Sequence, residues 1–465
     1  MSRSFIQMPS HLLQNQEQAA AEKHFSVEGV GLQKLLTLVP TPFYVTSLSA
    51  VAQRVGAYRK ALNAHFELGT VFYAMKANSA PTLLKTILNA GAGLDIVSGG
   101  ELKAALRAGA KPEKICFAGV GKTTAEINAA FECGVGILNV EHTAELTRVL
   151  DKAFQQNESG KNCTLKVALR LNPCVDIATH PHLRTGALDS KFGIFIEHLK
   201  EWASEQKKRV PNWQCYLKPL QGVHVHIGSQ LQGTEVFNAV ILKVLECVDF
   251  LHQEGCKIHH LDLGGGLGVG FNGVPTDNSD ILNHVDFLCK TLKYAITNNL
   301  VFFEKIKPIW GTNLEKLSVN LEPGRSVVAS STVLITQVMY EKSNGAGLNF
   351  AYVDAGMNDF PRPSIYGAKH FCVRISNSNA NNSTNSPEHE LLNYSIVGPV
   401  CESGDVLAKE TRHEKINVGD ILGFFEAGAY CRSMASHYNM RPLPAELFVL
   451  QGEVLAISRA IEAIL

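Results

Sequence analysis

VFYAMKANSA, residues 71–80, decides how the rest of this chain is read. Phe72, Tyr73, Ala74 and Met75 predict a short buried strand that stops at Lys76, and Pro81 then opens a helical pattern. Lysine is seldom buried without a partner. At the carboxyl end of an apolar strand it either snorkels to solvent or takes part in chemistry, and in isolation the first reading is the commoner one.

Outward from Val71 the same pattern repeats. Strand-type runs are predicted at Val71–Lys76, Leu94–Ser98, Ile115–Gly119, Ile137–Val140, Lys166–Asn172, Gly222–Gly228, Ile258–Gly264 and Leu317–Glu322. Stretches such as PTLLKTILNAG (81–91) and GELKAALRAG (100–109) lie between them, with apolar residues three and four apart and a closing glycine. Eight strands alternating with helices predict a closed (β/α)8 barrel, with an open doubly wound sheet as the competing architecture. The strand count favours the barrel. So does the position of Lys76, His226, Gly264–Gly266 and Glu322–Arg325, all at carboxyl ends that a barrel gathers on one face. After about Ala329 strands predominate (Val333–Tyr340, Phe350–Asp354, Tyr394–Val400, Asp420–Phe425, Glu446–Leu450, Val454–Ile457), which predicts a second, mostly β domain. The run NSNANNSTNSP, Asn377–Pro387, reads as a surface loop.

Composition narrows the function. The 43 basic and 43 acidic residues cancel, so no overall field favours nucleic acid or an anionic membrane. The start lacks a hydrophobic signal core, and the 11 cysteines are an odd number with no CxxC pair, which predicts reduced thiols in the cytoplasm.

Several motifs carry chemistry. Leu263-Gly-Gly-Gly-Leu-Gly268 lets backbone N–H groups approach a phosphate closely, although a tight turn alone would read the same. Ser229 could add a hydroxyl. Gly119-Val-Gly-Lys-Thr-Thr resembles a P-loop, but Cys116 stands where the first glycine is required. His224 and His226 alternate on one strand, too few ligands for a metal site, and no metal is expected. Glu322-Pro-Gly-Arg325 is either a local ion pair in a turn or a carboxylate for a cationic ring nitrogen beside an anion-binding guanidinium. Combined, these parts describe a pyridoxal-phosphate site. Lys76 would form the Schiff base, Gly and Ser groups would hold the phosphate, His226 would stack on the ring, and Glu322 would keep the ring nitrogen protonated.

The blocks YAMKAN, LDIVSGGEL, TGALDSKFGI, HVHIGSQL, LDLGGGLG, EPGRSVVA, DAGMNDFPRPSIYGAKH, GPVCESGDVLAK and SHYNMRPLPAEL, in this order from roughly Pro40 to Leu450, resemble the fold-type III pyridoxal-phosphate decarboxylases in their diaminopimelate-type branch. The resemblance implies an alanine racemase-like architecture: an N-terminal segment 1–50 packing with the β domain, a cofactor-binding barrel over 51–325, and a C-terminal β domain over 326–465. It implies a cytoplasmic homodimer with shared sites that converts meso-2,6-diaminoheptanedioate to L-lysine and carbon dioxide. A sister activity on ornithine, lysine or arginine, or an inactive regulatory homologue, is the alternative. Lys76 and Cys401 are the implied catalytic residues. Lys76, His226, Ser229, Gly265, Gly266, Glu322, Pro323, Gly324, Arg325 and Tyr430 are implied to hold pyridoxal 5'-phosphate. Arg325, Arg362, Tyr366, Glu402 and Tyr430 are implied to contact substrate, with Cys401 and Glu402 reaching in from the partner subunit. Cys431-Arg432, after Tyr430, departs from the small residues usual in the family.

Overall fold

The computed structural model describes residues 25–161, 163–175, 190–228, 235–270, 277–376 and 391–458. Ser229, the Asn377–Pro387 run, residues 1–24 of the N-terminal segment and 185–189 of the TGALDSKFGI block lie outside the described residues. The chain divides into two compact units, one of Gln53–Gly268 with Asp277–Gly324, the other of Met1–Ala52, Val269–Thr276 and Arg325–Leu465.

The first unit is a closed barrel of eight parallel strands in sequence order: Thr70–Ala74, Gly93–Ile96, Ile115–Phe117, Ile137–Val140, Lys166–Arg170, Leu220–His224, His260–Asp262 and Ser318–Leu321. Both faces of these strands are covered, hence their near-continuous apolar character. Helix starts are fixed locally. The Ser98 Oγ accepts from the Glu101 N–H, and Thr123 and Glu126 form a reciprocal capping box.

The side-chain period of two sorts the barrel residues into lumen and exterior. Phe72, Cys116, Ile137 and Ala168 form an apolar cluster within it. Space is shared by pairing large with small: a Cβ on Gly222 would lie 2.0 Å from the His260 ring. Two residues further along several strands the inward positions turn polar: Asp95, Asn139, Arg170, His224 and Asp262, all buried. Strand register places Asp95 beside Cys116, Arg170 beside His224, and His224 beside Asp262.

The second unit is a nine-stranded sheet. Its main path runs Val406–His413, Leu392–Val397, Leu348–Val353, Thr332–Ser343, Phe43–Ser47, Ala445–Leu450, Glu453–Ser458; Ile421–Phe424 branches from Thr332–Ser343 and pairs with Cys372–Ser376. Phe43–Ser47 lies between Thr332–Ser343 and Ala445–Leu450, so an N-terminal strand completes a sheet otherwise made from the last third of the chain. Two apolar clusters cover it, one around Phe43, Val45, Val333 and Leu447, the other around Tyr44, Leu334, Phe360 and Phe424.

Candidate active site

Lys76 lies in the single 3-10 turn Met75–Ala77 that ends the first barrel strand. The turn is fixed from two sides. The Tyr73 hydroxyl donates to the Asn78 carbonyl at 2.9 Å, and the Ala74 N–H donates to the Pro323 carbonyl at 3.1 Å. The Lys76 side chain is 39% exposed, and its Nζ lies 3.8 Å from Oδ2 of the fully buried Asp95. The strand therefore ends with an amine that reaches solvent while facing an acid.

That acid belongs to a buried cluster. Glu322 is 5% exposed and faces three polar groups: His224 Nε2 lies 3.1 Å from Oε2, while Asn139 Nδ2 at 3.3 Å and Cys116 Sγ at 3.6 Å donate to Oε1. The ligand-type atoms of Asp95, Cys116 and Glu322, and of His224, Asp262 and Glu322, lie within 4.8 Å of one another. Three carboxyls this close cannot all ionise in a low dielectric. Burial raises the Glu322 carboxyl, but the charge and hydrogen bond of His224, then Lys76, more than offset it and hold it below the usual carboxylate range. Burial, then the Glu322 charge, pushes Asp95 and Asp262 well above theirs. Glu322 is thus the ionised member of the three.

The glycine turn borders this cluster. Asp262 Oδ1 accepts from the Gly264 N–H at 2.8 Å, and His226 Nδ1 accepts from the Gly265 N–H at 3.1 Å. The Gly265 N–H is thereby committed to His226, which fixes that ring with its hydrogen on Nε2. Burial, then Lys76, lowers the His226 pKa well below its ordinary value, so the ring is neutral. Gly264 has φ +68° and Gly266 φ +115°. A Cβ on Gly265 would lie 2.3 Å from the Glu322 carbonyl oxygen, and one on Gly264 would lie 2.7 Å from His226 Nδ1, so only bare backbone fits. One layer out, Arg170 Nη1 donates to Glu141 Oε1 at 2.6 Å, and its Nη2 donates to the His226 carbonyl at 3.3 Å.

Pro323 and Gly324 close the barrel unit, whereas Arg325, Arg362, Tyr366, Cys401, Glu402 and Tyr430 lie in the second unit. The Arg325 guanidinium sits over the Tyr430 ring, 4.7 Å from its centroid. Arg362 begins the short helix Arg362–Tyr366 and is 3% exposed. Its Nη1 donates to His370 Nε2 at 3.0 Å, because His370 Nδ1 donates to the Phe425 carbonyl at 2.9 Å. Burial, then Arg362, keeps His370 neutral, while burial, then the Arg362 charge, brings Arg325 down to about 10. The Tyr366 hydroxyl contacts the Met434 sulfur at 3.9 Å. Arg432 is occupied elsewhere: its Nε donates to the Pro444 carbonyl at 3.2 Å and lies 3.8 Å from Glu446. Cys401 and Glu402 are both exposed, on the segment that leads to Gly404.

The profile of the family described as "Pyridoxal-dependent decarboxylase, pyridoxal binding domain" matches residues 48–329, more than half of the chain. The chain belongs to the pyridoxal-dependent decarboxylases. Among similar members, the diaminopimelate decarboxylase of Aquifex aeolicus is 38% identical over 434 residues, covering 93% of this chain and 92% of that one. The crystal structure of Helicobacter pylori diaminopimelate decarboxylase complexed with L-lysine is 34% identical, with a TM-score of 0.76, covering 93% and 96%. That of the M. jannaschii diaminopimelate decarboxylase in complex with L-lysine is 30% identical, with a TM-score of 0.77, covering 95% and 94%.

A pyridoxal-dependent decarboxylase must hold an aldehyde, a cationic ring nitrogen and a phosphate. The donor set fits that demand: an amine on Lys76, one carboxylate kept ionised at Glu322, and a glycine turn that no Cβ can enter. Sequence reasoning found the residues that end strands and missed Asp95, Cys116, Asn139 and Asp262 inside them. Their signal was a polar or thiol side chain at an inward position.

Proposed function

We propose that this chain removes one carboxyl group from meso-2,6-diaminoheptanedioate, giving L-lysine and carbon dioxide. The observation that carries the reading is the pair of buried guanidiniums, Arg325 and Arg362, close enough that one depresses the pKa of the other. Two buried cations stabilise a carboxylate, and this substrate carries one at its distal end. Ornithine or lysine would bring an ammonium there and meet repulsion. The relatives named diaminopimelate decarboxylase support the same substrate.

The cofactor, when bound, supplies an electron sink for the pair of electrons left on the α-carbon as carbon dioxide departs. Lys76 would hold its aldehyde end and Glu322 its ring nitrogen. His226 would flank the ring. Gly265, Gly266, Ser229 and the Pro323–Arg325 turn would surround the phosphate, with Tyr430 beside it. Arg325, Arg362, Tyr366, Tyr430 and Glu402 would orient the substrate by its charged ends. Cys401 would deliver a proton to the α-carbon. The exposure of Cys401 and Glu402 supports a homodimer in which each subunit lends them to its partner's site. The balanced charge and reduced-thiol composition support a cytoplasmic enzyme.

The test is a substrate panel scored for carbon dioxide release with and without added cofactor. Lysine formed from meso-2,6-diaminoheptanedioate is the expected result. Consumption of ornithine or arginine without lysine formation would refute the reading. The dimer is tested by mixing inactive Lys76→Ala and Cys401→Ala subunits. Random exchange restores about a quarter of the sites if they are shared and none if each subunit is self-sufficient.

A further inference from the structure

Glu322 can serve a cationic ring nitrogen only if it stays ionised and aimed, and the barrel interior supplies the means. We propose that His224 is the positioning residue that orients the Glu322 carboxylate, with Asn139 as a second clamp on its other oxygen. This rests on the reading that Glu322 meets the cofactor's ring nitrogen.

The geometry is specific. The His224 and Glu322 side chains are 1% and 4% exposed, with Nε2 and Oε2 3.1 Å apart. Facing a carboxylate, Nε2 carries a hydrogen whichever charge the ring has. The other ring nitrogen, Nδ1, is buried with no hydrogen-bond partner among the described residues, so this imidazole is placed against Glu322, at ion-pair distance, and Asp262, within 4.8 Å. Asn139, 0% exposed, donates its Nδ2 hydrogen to Oε1 at 3.3 Å. With His224 at one oxygen and Asn139 and Cys116 at the other, rotation about the carboxyl bond is blocked, and Oε2 keeps a lone pair for a further donor. His224 closes a barrel strand two residues after Gly222, and one strand, His260–Asp262, separates it from the strand end that carries Glu322. The arrangement is therefore built into the rigid lumen and not into a loop.

The test starts with the apoprotein, labelled with 13C at glutamate carboxyls and titrated by NMR, with Glu322→Gln assigning the signal. In His224→Leu the Glu322 carboxyl is expected to titrate about one to two pH units higher than in the parent, the equivalent of losing a hydrogen bond to a charged group. His224→Gln, which can place an amide N–H near the Nε2 position, restores most of the shift. In the loaded enzyme, turnover of His224→Leu falls by about ten- to a hundredfold on the same scale. That loss disappears when the parent and variant are compared with a cofactor analogue carrying carbon in place of the ring nitrogen. An unshifted Glu322 titration in His224→Leu, or an equal loss with the analogue, overturns the proposal. Should His224→Leu not fold, Asn139→Leu and His224→Gln carry the same titration, and an unshifted Glu322 in Asn139→Leu overturns it. The apoprotein titration does not depend on which amino acid is decarboxylated, so failure of the substrate reading is seen separately.

Discussion

Replacing Arg362 by methionine separates the proposed substrate from its neighbours. Methionine keeps much of the buried stem but deletes the guanidinium, whose Nη1 now donates to His370 at 3.0 Å. His370 tolerates the loss, because its Nδ1 bond to the Phe425 carbonyl remains and the ring is already neutral. Truncating one side of a buried, hydrogen-bonded charge pair costs about 2–5 kcal/mol. At ~1.4 kcal/mol per tenfold, that is a roughly 30- to several-thousandfold fall in kcat/KM. Arg325 survives in the variant and also loses a repelling neighbour, which places the expected fall near the lower end, about a hundredfold for meso-2,6-diaminoheptanedioate. For L-lysine, which ends in an ammonium without a carboxylate, kcat/KM stays level or rises. The assay is steady-state carbon dioxide release on both substrates, with bound cofactor measured by absorbance in each preparation. The reasoning is refuted if the variant keeps diaminoheptanedioate turnover within about threefold of the parent, under ~1 kcal/mol. It is refuted equally if both substrates fall together at full cofactor occupancy.

Four further outcomes follow from the barrel. Lys76→Ala abolishes turnover but leaves the circular dichroism spectrum unchanged, since the replaced side chain is partly exposed and its turn is held by Tyr73 and Pro323. Gly265→Ala fails to retain cofactor on dialysis, because its Cβ would lie 2.3 Å from a backbone carbonyl that cannot move independently. Asp262→Asn, which mimics a neutral acid and still accepts from Gly264, stays within about 1 kcal/mol of the parent in stability, whereas Asp262→Ala loses cofactor affinity, both read by thermal inactivation with and without cofactor. Burial, then the Lys166 charge, lowers His260 to about 3, below its unfolded value, so its contribution is complete above pH ~6.5 and is lost as pH falls toward ~3; by pH ~5 about 2 kcal/mol is gone, and His260→Asn shows a flatter stability profile between pH ~7 and ~5.

The barrel was legible because each strand is a short buried run set off by a helix of different period. Where the reading overshot, it did so at strand ends: Lys166–Asn172 ran past the carboxyl end of the observed Lys166–Arg170, and Ile258–Gly264 ran past both ends of His260–Asp262. Apolar character continues into those ends, while the backbone has already left the ladder to build the site. In the second unit Cys372–Ser376 and Val406–His413 were missed. Arg374, Lys409 and Arg412 give these strands the look of loops, and Val406–His413 is an edge strand, where charged side chains blunt aggregation. Lys76 and Glu322 stood out because they punctuate apolar runs. Asp95, Cys116, Asn139 and Asp262 did not, because both faces of a barrel strand are buried and the alternation that marks the lumen is hidden.

The lumen also explains why one carboxylate among three is the chemical one. Asp95, Asp262 and Glu322 share a space with a single nearby lysine, so the first proton to leave must come from the site with the most donors. Glu322 has the Asn139 and Cys116 donors and His224 at ion-pair distance; Asp262 has the Gly264 N–H; Asp95 has, among the described residues, no hydrogen-bond donor, only Lys76 at 3.8 Å. Donor number therefore ranks the acids. The same ranking keeps the two losers useful as neutral groups, Asp262 as the brace of the glycine turn and Asp95 as the residue facing the amine. A barrel that removed the two aspartates would still ionise Glu322, but it would free the turn and the lysine from the strand ends that now fix their distance from it.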